Sequence, residues 1–491
     1  MLDHPLLENI ADIFKYDKKH PLLFSSGEFL ILFTIFLAIY AVIYKQKLAR
    51  VAYVSAFSLF FYYKSSGDYV WNLVILAVVD YYAALFLYRE ERKPRKKLWL
   101  VILIIFNLSF LLYFKYTNFI LENLAYLAQR DFEKLEIFLP IGVSFYTFQT
   151  ISYLVDVYKG DIKPCKNLLD FGFYLSFFPQ LVAGPIVRAK DFLPQIHEKI
   201  IFRQEQMGEG LFMILKGLIK KAIIADYMAQ YADLIYSAPT TYSGFENMMA
   251  MYAYTLQIYC DFSGYSDMAI GLALLMGFRL PENFRSPYNS VSITEFWRRW
   301  HISLSTWLRD YIYIPMGGNR KGEEKQWLFL MLTMLIGGFW HGASWKFVFW
   351  GAMHGAGLFI HKIFSKSVKE MGLNRQILKP LDWFLTFHFV ALLWIFFRAD
   401  SFSVAAQSIT KMFFDTDWAY LVPFIQTRGL LVAMMVIGYF IHFISEKDKA
   451  RTAEYFSSLP VVVKAAIFIL VIQLILQFKT ENVQPFIYFQ F

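Results

Sequence analysis

Apolar runs and short basic loops alternate along the chain. The first run covers residues 29–44 and is followed by Lys45, Lys47 and Arg50. A shorter aromatic segment spans 51–63 and another run spans 69–88, ahead of the densest charge cluster, REERKPRKK at 89–97. Two crossings separate these basic loops, so both fall on one side, which the lysine and arginine bias makes cytoplasmic. The next run, 98–114, leads to an external loop. Residues 138–158 then return the chain to Lys159, Lys163 and Lys166, a basic inside loop again.

Further along, the pattern turns polar at membrane depth. Residues 171–187 are interrupted by Pro179, Gly184 and Pro185 and read as a re-entrant segment buried in protein. Residues 210–236 carry Lys216, Lys220, Lys221 and Asp226, too many charges for a lipid-facing helix, and 248–278 contain Asp261 and Asp267. Those two carboxylates read as structural, capping or pairing with basic residues such as Arg285, and Asp80, Asp156 and Arg398 read the same way. Later apolar runs are 327–340, 347–360, 383–397, 430–444 and 461–476. The expectation is an all-α integral membrane protein with roughly eleven membrane helices plus re-entrant and amphipathic segments. Without internal repeats or a linker, residues 23–491 read as one membrane domain behind an N-terminal extension, 1–22, that lacks the apolar core of a signal peptide.

Composition agrees. Of 491 residues, 57% are hydrophobic and only 18% charged, against about 25% charged in soluble domains. The net charge of +9 sits in short loops, as the positive-inside rule expects, which argues against a nucleic-acid partner. Cys165 and Cys260 form no disulfide framework and show no metal-ligand spacing.

Candidate chemistry concentrates after residue 279. The stretch TEFWRRWHISLSTWLRDYIYIPMGGNR has helical periodicity over its first half. Trp297, Trp300, His301, Leu304, Trp307, Leu308 and Tyr311 share one face, with Arg298, Ser305, Arg309 and Asp310 away from it. One amphipathic helix at the membrane surface, starting near Thr294, is expected, with His301 on its buried side. His341 follows in GGFWHGASW, where glycines permit close approach of a helix or substrate, and His354 lies in GAMHGAG. Imidazole titrates near neutral pH and suits proton transfer. From residue pattern alone, a satisfied core hydrogen-bond partner is the simpler reading of each histidine. A shared zinc site is excluded for His354 and His361, which lie about 10 Å apart along a helix.

Several long motifs move the reading further. QIYCDFSGYSDMAIGLALLMGF, NFRSPYNSVSITEFWRRWHISLSTWLRDYIYIPMGGNR, FWHGASWKFVFWGAMHG, FFPQLVAGPIVR and the C-terminal PFIYFQF together resemble the membrane-bound O-acyltransferase superfamily, within it the alginate-acetylating branch. Cys260 departs from that pattern at a usually aromatic position. The resemblance implies a helical core around a central tunnel, with acyl donor and acceptor entering from opposite sides. It also implies an essential histidine, here His341, and a second polar residue about forty positions earlier that is Asn, Asp or His across the superfamily, here His301. His354, Arg298, Arg299, Trp300, Arg309 and Trp340 become candidates for the tunnel or the substrate. Acetyl-CoA is the implied co-substrate, with no bound cofactor or metal. An acyl carrier protein is the other possible donor. Expected partners are a polysaccharide acceptor, membrane lipid, and an extracytoplasmic acetyltransferase or small membrane protein, in the bacterial plasma (inner) membrane. D-alanyl transfer from a carrier protein to teichoic acid is the alternative within the superfamily, and glycan export the alternative outside it.

Overall fold

Local sequence sets where the helices start and stop. The computed structural model describes residues 15–18, 21–182, 184–371, 375–478 and 486–487, and among these the regular structure is helical throughout. Most of the expected extension 1–22 lies outside the described residues. The chain divides into two compact units, one of Met1–Phe202 with Met276–Leu280 and the other of Arg203–Leu275 with Pro281–Phe491.

The first unit contains α1 (Gly27–Ile43), α2 (Lys47–Ser66), α3 (Val70–Arg89), α4 (Lys93–Leu111), α5 (Thr117–Leu127), α6 (Val143–Lys159), α7 (Leu168–Ser176) and α8 (Ala189–His197). Ser26 caps α1 by accepting from the Phe29 N–H at 3.1 Å, as a short polar residue before an apolar run should. The α6 helix is buried along most of its length and is tied to its neighbours by polar contacts. Thr150 donates to Asn107 Oδ1 at 2.6 Å, and Asn107 donates to Asp80 at 2.9 Å, joining α6, α4 and α3. The proline-broken stretch after α7 is buried in protein, as expected: Phe178 packs among Phe24, Phe29, Phe33, Phe36, Phe57 and Phe61.

The second unit is organised by α11 (Gly244–Leu275), which follows α9 (Gln204–Leu218), a π-helical turn (Ile219–Ala225) and α10 (Asp226–Ser237). Here α9 and α11 meet backbone to backbone. A Cβ on Gly217 would sit 2.5 Å from the Gly264 carbonyl oxygen, and one on Gly271 would sit 2.5 Å from that of Gly210. This approach explains the lysines that looked too polar for a membrane helix. Lys216 and Lys220 both reach Asp267, at 3.1 and 2.8 Å, and Lys221 reaches Asp261 at 2.6 Å and Asp226 at 2.7 Å. Asp261 and Asp267 are therefore paired with these lysines rather than with Arg285, which binds Glu282. Asp261 also accepts from the Ile487 N–H at 2.7 Å; of the C-terminal motif only Phe486 and Ile487 are among the described residues.

Further helices of this unit include α12 (Ile293–Arg299), α13 (Ile302–Leu308), α14 (Glu323–His341), α15 (Trp345–Glu370), α16 (Arg375–Arg398), α17 (Phe402–Phe414), α18 (Gly429–Phe443), α19 (Glu446–Ser458) and α20 (Val461–Phe478). Among the described residues, four helical stretches are long and apolar enough to cross a bilayer, or five counting a bent pair that ends in α18. The larger expected number is not confirmed by that measure.

Two substitutions test this framework by thermal unfolding of the protein in detergent. Gly264→Val places a side chain 2.8 Å from the Gly217 carbonyl oxygen and is expected to cost about 1–3 kcal/mol through overpacking. Lys221→Met strips the cation from two carboxylates and is expected to cost about 3–5 kcal/mol, because a buried charge loses its partner. An unchanged unfolding midpoint in either variant contradicts the corresponding contact.

Candidate active site

His341 is held at the C-terminal end of α14 by glycines. A Cβ on Gly338 would lie 2.3 Å from the Phe347 carbonyl oxygen, and one on Gly351 would lie 2.4 Å from that of Met334, so α14 and α15 also touch through backbone. This contact lays the imidazole of His341 against Trp350 (ring centroids 5.2 Å apart), with Phe397 of α16 at 5.3 Å and Trp340 at 5.1 Å. Only 2% of His341 is exposed.

His301 arrives by a different route. The single amphipathic helix expected from the sequence is instead two: α12 ends at Arg299, and His301 adopts a left-handed backbone, φ +43°, before α13 begins. The helix also starts earlier than Thr294, with Ser292 as its cap. The break is stabilised from outside. The Asn283 carbonyl accepts from the Ile302 N–H at 2.9 Å, and its side chain accepts from the Ser303 N–H and hydroxyl at 3.2 and 2.8 Å. These bonds satisfy donors that a continuous helix would have used internally. A non-glycine residue in this region costs about 1–3 kcal/mol. In return, both Trp300 and His301 turn fully inward, with neither exposed. A straight helix would point adjacent residues about 100° apart. His301 then packs edge-on against Phe262 of α11, centroids 4.6 Å apart, and against the far side of the α14 terminus through Trp340 at 6.2 Å.

The structure thus brings His301, Trp340 and His341 together, with the Trp340 ring in contact with both imidazoles. His354 joins through Trp350, at 4.5 Å, and its Nδ1 accepts from the Trp297 indole N–H at 3.3 Å. Trp300 is enclosed by Trp394 and Phe284, at 4.9 and 5.1 Å, and serves the packing around the site. The three arginines do not join this cluster. Arg299 binds Glu295 at 2.7 Å. Arg298 and Arg309 line a separate cleft of about 780 Å³ between α12–α13 and α14–α15. The hydrogen bond that the Arg309 guanidinium donates to the Asp310 carboxylate holds it above its ordinary pKa range. Among the described residues no group of three or more His, Cys, Asp or Glu side chains is placed to hold a metal.

Sequence reasoning passed over Trp350, Asn283 and the cleft residue Lys362. Trp350 was detectable, since it lies four residues before His354 and therefore on the same helical face. Asn283 carried no local signal, because its role depends on a helix start twenty residues away in the chain.

Comparison with known proteins gives the family. Residues 165–399, which contain all three histidines, match the family model described as membrane-bound O-acyltransferase. The chain is 39% identical to the probable alginate O-acetylase AlgI of Pseudomonas putida, over 96% of its own length and 100% of that protein's. It is 39% identical to the peptidoglycan O-acetyltransferase of Helicobacter pylori, over 72% of each chain. The teichoic acid D-alanyltransferase of Bacillus subtilis is more distant, 29% identical over 53% of this chain and 69% of its own. A buried pair of histidines on one tryptophan, inside the matched region of a chain with such relatives, leads to one assignment: this protein belongs to the membrane-bound O-acyltransferase family and is an O-acyltransferase.

Proposed function

We propose that the protein takes an acetyl group from a cytoplasmic thioester, acetyl-CoA, and passes it toward hydroxyls of an extracytoplasmic polysaccharide such as alginate. Transfer is direct or through a partner protein, across the bacterial inner membrane. The observation that carries this reading is the shared contact of His301 and His341 with Trp340, which joins two motifs from separate helices in one buried place.

In the proposed reaction His341 is the general base. As the acceptor oxygen attacks the thioester carbonyl carbon, the imidazole removes the hydroxyl proton, so the new C–O bond forms without a positive charge on oxygen. Collapse of the tetrahedral intermediate breaks the C–S bond, and the proton held by His341 passes to the departing sulfur. A positioned base of this kind contributes about 10²–10⁴-fold. His301 orients the hydroxyl or steadies the carbonyl oxygen as negative charge builds on it. The aromatic walls exclude water, which would otherwise hydrolyse the thioester. His354 holds its place through Trp297 and Trp350, beside the pair rather than within it.

D-alanyl transfer is the second reading within the family. The acetylating relatives cover more of this chain, at higher identity, than the D-alanylating one, and this favours acetyl. Family membership removes the support for a glycan exporter.

Transfer of labelled acetyl from acetyl-CoA by purified protein in liposomes tests the proposal. His341→Ala is expected to lower the rate by about 10²–10⁴-fold with an unchanged unfolding midpoint. His301→Gly relaxes the backbone while deleting the side chain, and should lose more activity than His301→Asn, which keeps a polar group. A His341→Ala protein as active as wild type refutes the assignment of the base. A wild type that is inert until given a D-alanyl-charged carrier protein replaces the acetyl reading with the D-alanyl one.

A further inference from the structure

Two buried N–H groups near His341 make no hydrogen bond in the fold. Trp350 and His354 lie one turn apart on α15 and share a face, with ring centres 4.5 Å apart. Neither is more than 1% exposed. The indole nitrogen of Trp350 has no partner among the described residues, and neither has Nε2 of His354. The other ring nitrogen fixes the tautomer of His354. The Trp297 indole N–H, which can only donate, donates to Nδ1 at 3.3 Å. With Nδ1 accepting, the proton of the neutral imidazole sits on Nε2. Nε2 is therefore a second donor without an acceptor.

An unpaired buried donor destabilises a fold, and native proteins seldom keep one without a use for it. The rings packed on these two residues supply no acceptor. Phe296 and Phe389 flank His354, and Trp394 and Phe397 flank Trp350. The Trp350 ring also rests on the His341 imidazole, 5.2 Å between centres and nearly perpendicular to it. Two neutral N–H donors beside a general base, walled by aromatic rings, suit an oxygen that gains negative charge as a reaction proceeds.

We infer that Trp350 and His354 are catalytic residues that together bind the carbonyl oxygen of the thioester. The inference rests on the reading of His341 as the base, and it leaves His301 with the acceptor hydroxyl. As the acceptor oxygen bonds to the carbonyl carbon, the π pair moves onto the carbonyl oxygen. The two N–H groups hold that oxyanion and keep their own protons. When the C=O bond re-forms, the C–S bond breaks and the sulfur takes the proton from His341. The donors' grip tightens as charge develops, so their effect falls on kcat more than on donor affinity.

Isotope-edited infrared spectroscopy of acetyl-CoA labelled with ¹³C at the carbonyl, bound to full-length protein in nanodiscs, tests this without turnover. The carbonyl stretch is expected to fall below its value in solution, in wild type and in His341→Ala alike. Trp350→Phe and His354→Phe each keep a ring and remove one donor. Each should return the stretch toward the solution value and lower kcat about 10²–10³-fold with little change in KM. His354→Gln, whose amide N–H stands in for Nε2–H, should retain most of the shift and of the rate. An unshifted carbonyl in wild type overturns the inference, whatever the stability of the variants. So does a shift that survives in both phenylalanine variants, or one that disappears in His341→Ala. The choice of donor fails separately. A wild type that binds no acetyl-CoA refutes the acetyl reading, and the same carbonyl is then read on a ¹³C-labelled D-alanyl carrier protein.

Discussion

The packing of α9 against α11 is the contact on which the second unit depends. Glycines at 210, 217, 264 and 271 bring the two backbones together, and that closeness puts three lysines within reach of two carboxylates. In an apolar interior an unpaired ammonium is prohibitively costly, so the glycines and the ion pairs need each other. The rest hangs from α11. Phe262 seats His301, Ser266 accepts a hydrogen bond from the Asn283 side chain that directs the start of α13, and Asp261 fixes Ile487. Shifting α11 along its axis would disturb all three at once.

The candidate site is built by contrast mostly from aromatic surfaces. The rings of Trp340, Trp350, Phe262 and Phe397 set the places of His301 and His341. Flat rings locate an imidazole sterically, whereas a salt bridge to a carboxylate would bias its protonation. The two glycine-mediated helix contacts, α9 with α11 and α14 with α15, divide the labour: one positions His301 from below, the other carries His341.

The sequence made the helical membrane class legible because apolar runs and basic loops are local signals. His301 and His341 stood out as candidates because long motifs surround them. What escaped was non-local. The break at Trp300–His301 is invisible in a periodicity that runs smoothly through it, because the groups that stabilise it belong to Asn283. The pairing of Asp261 with Lys221 was hidden because nothing in either segment names the other, and Arg285, nearer in the chain, looked the better partner. The cleft was half visible: its arginines stood out on the polar face, but Lys362 and Trp327 come from two other helices.

The backbone of His301 has one more consequence. A left-handed conformation is costly for most side chains, and apart from glycine it is Asn, Asp and His that adopt it most readily. Those three are the residues that the superfamily resemblance implies for this position. The alternation looks chemically arbitrary, since an amide, a carboxylate and an imidazole differ as acids and bases. It becomes coherent if the main chain screens the candidates first and proton chemistry chooses only among the survivors. Position 301 then limits how the second polar group can diverge between enzymes that transfer different acyl groups: the range of side chains open to it is set by a torsion angle.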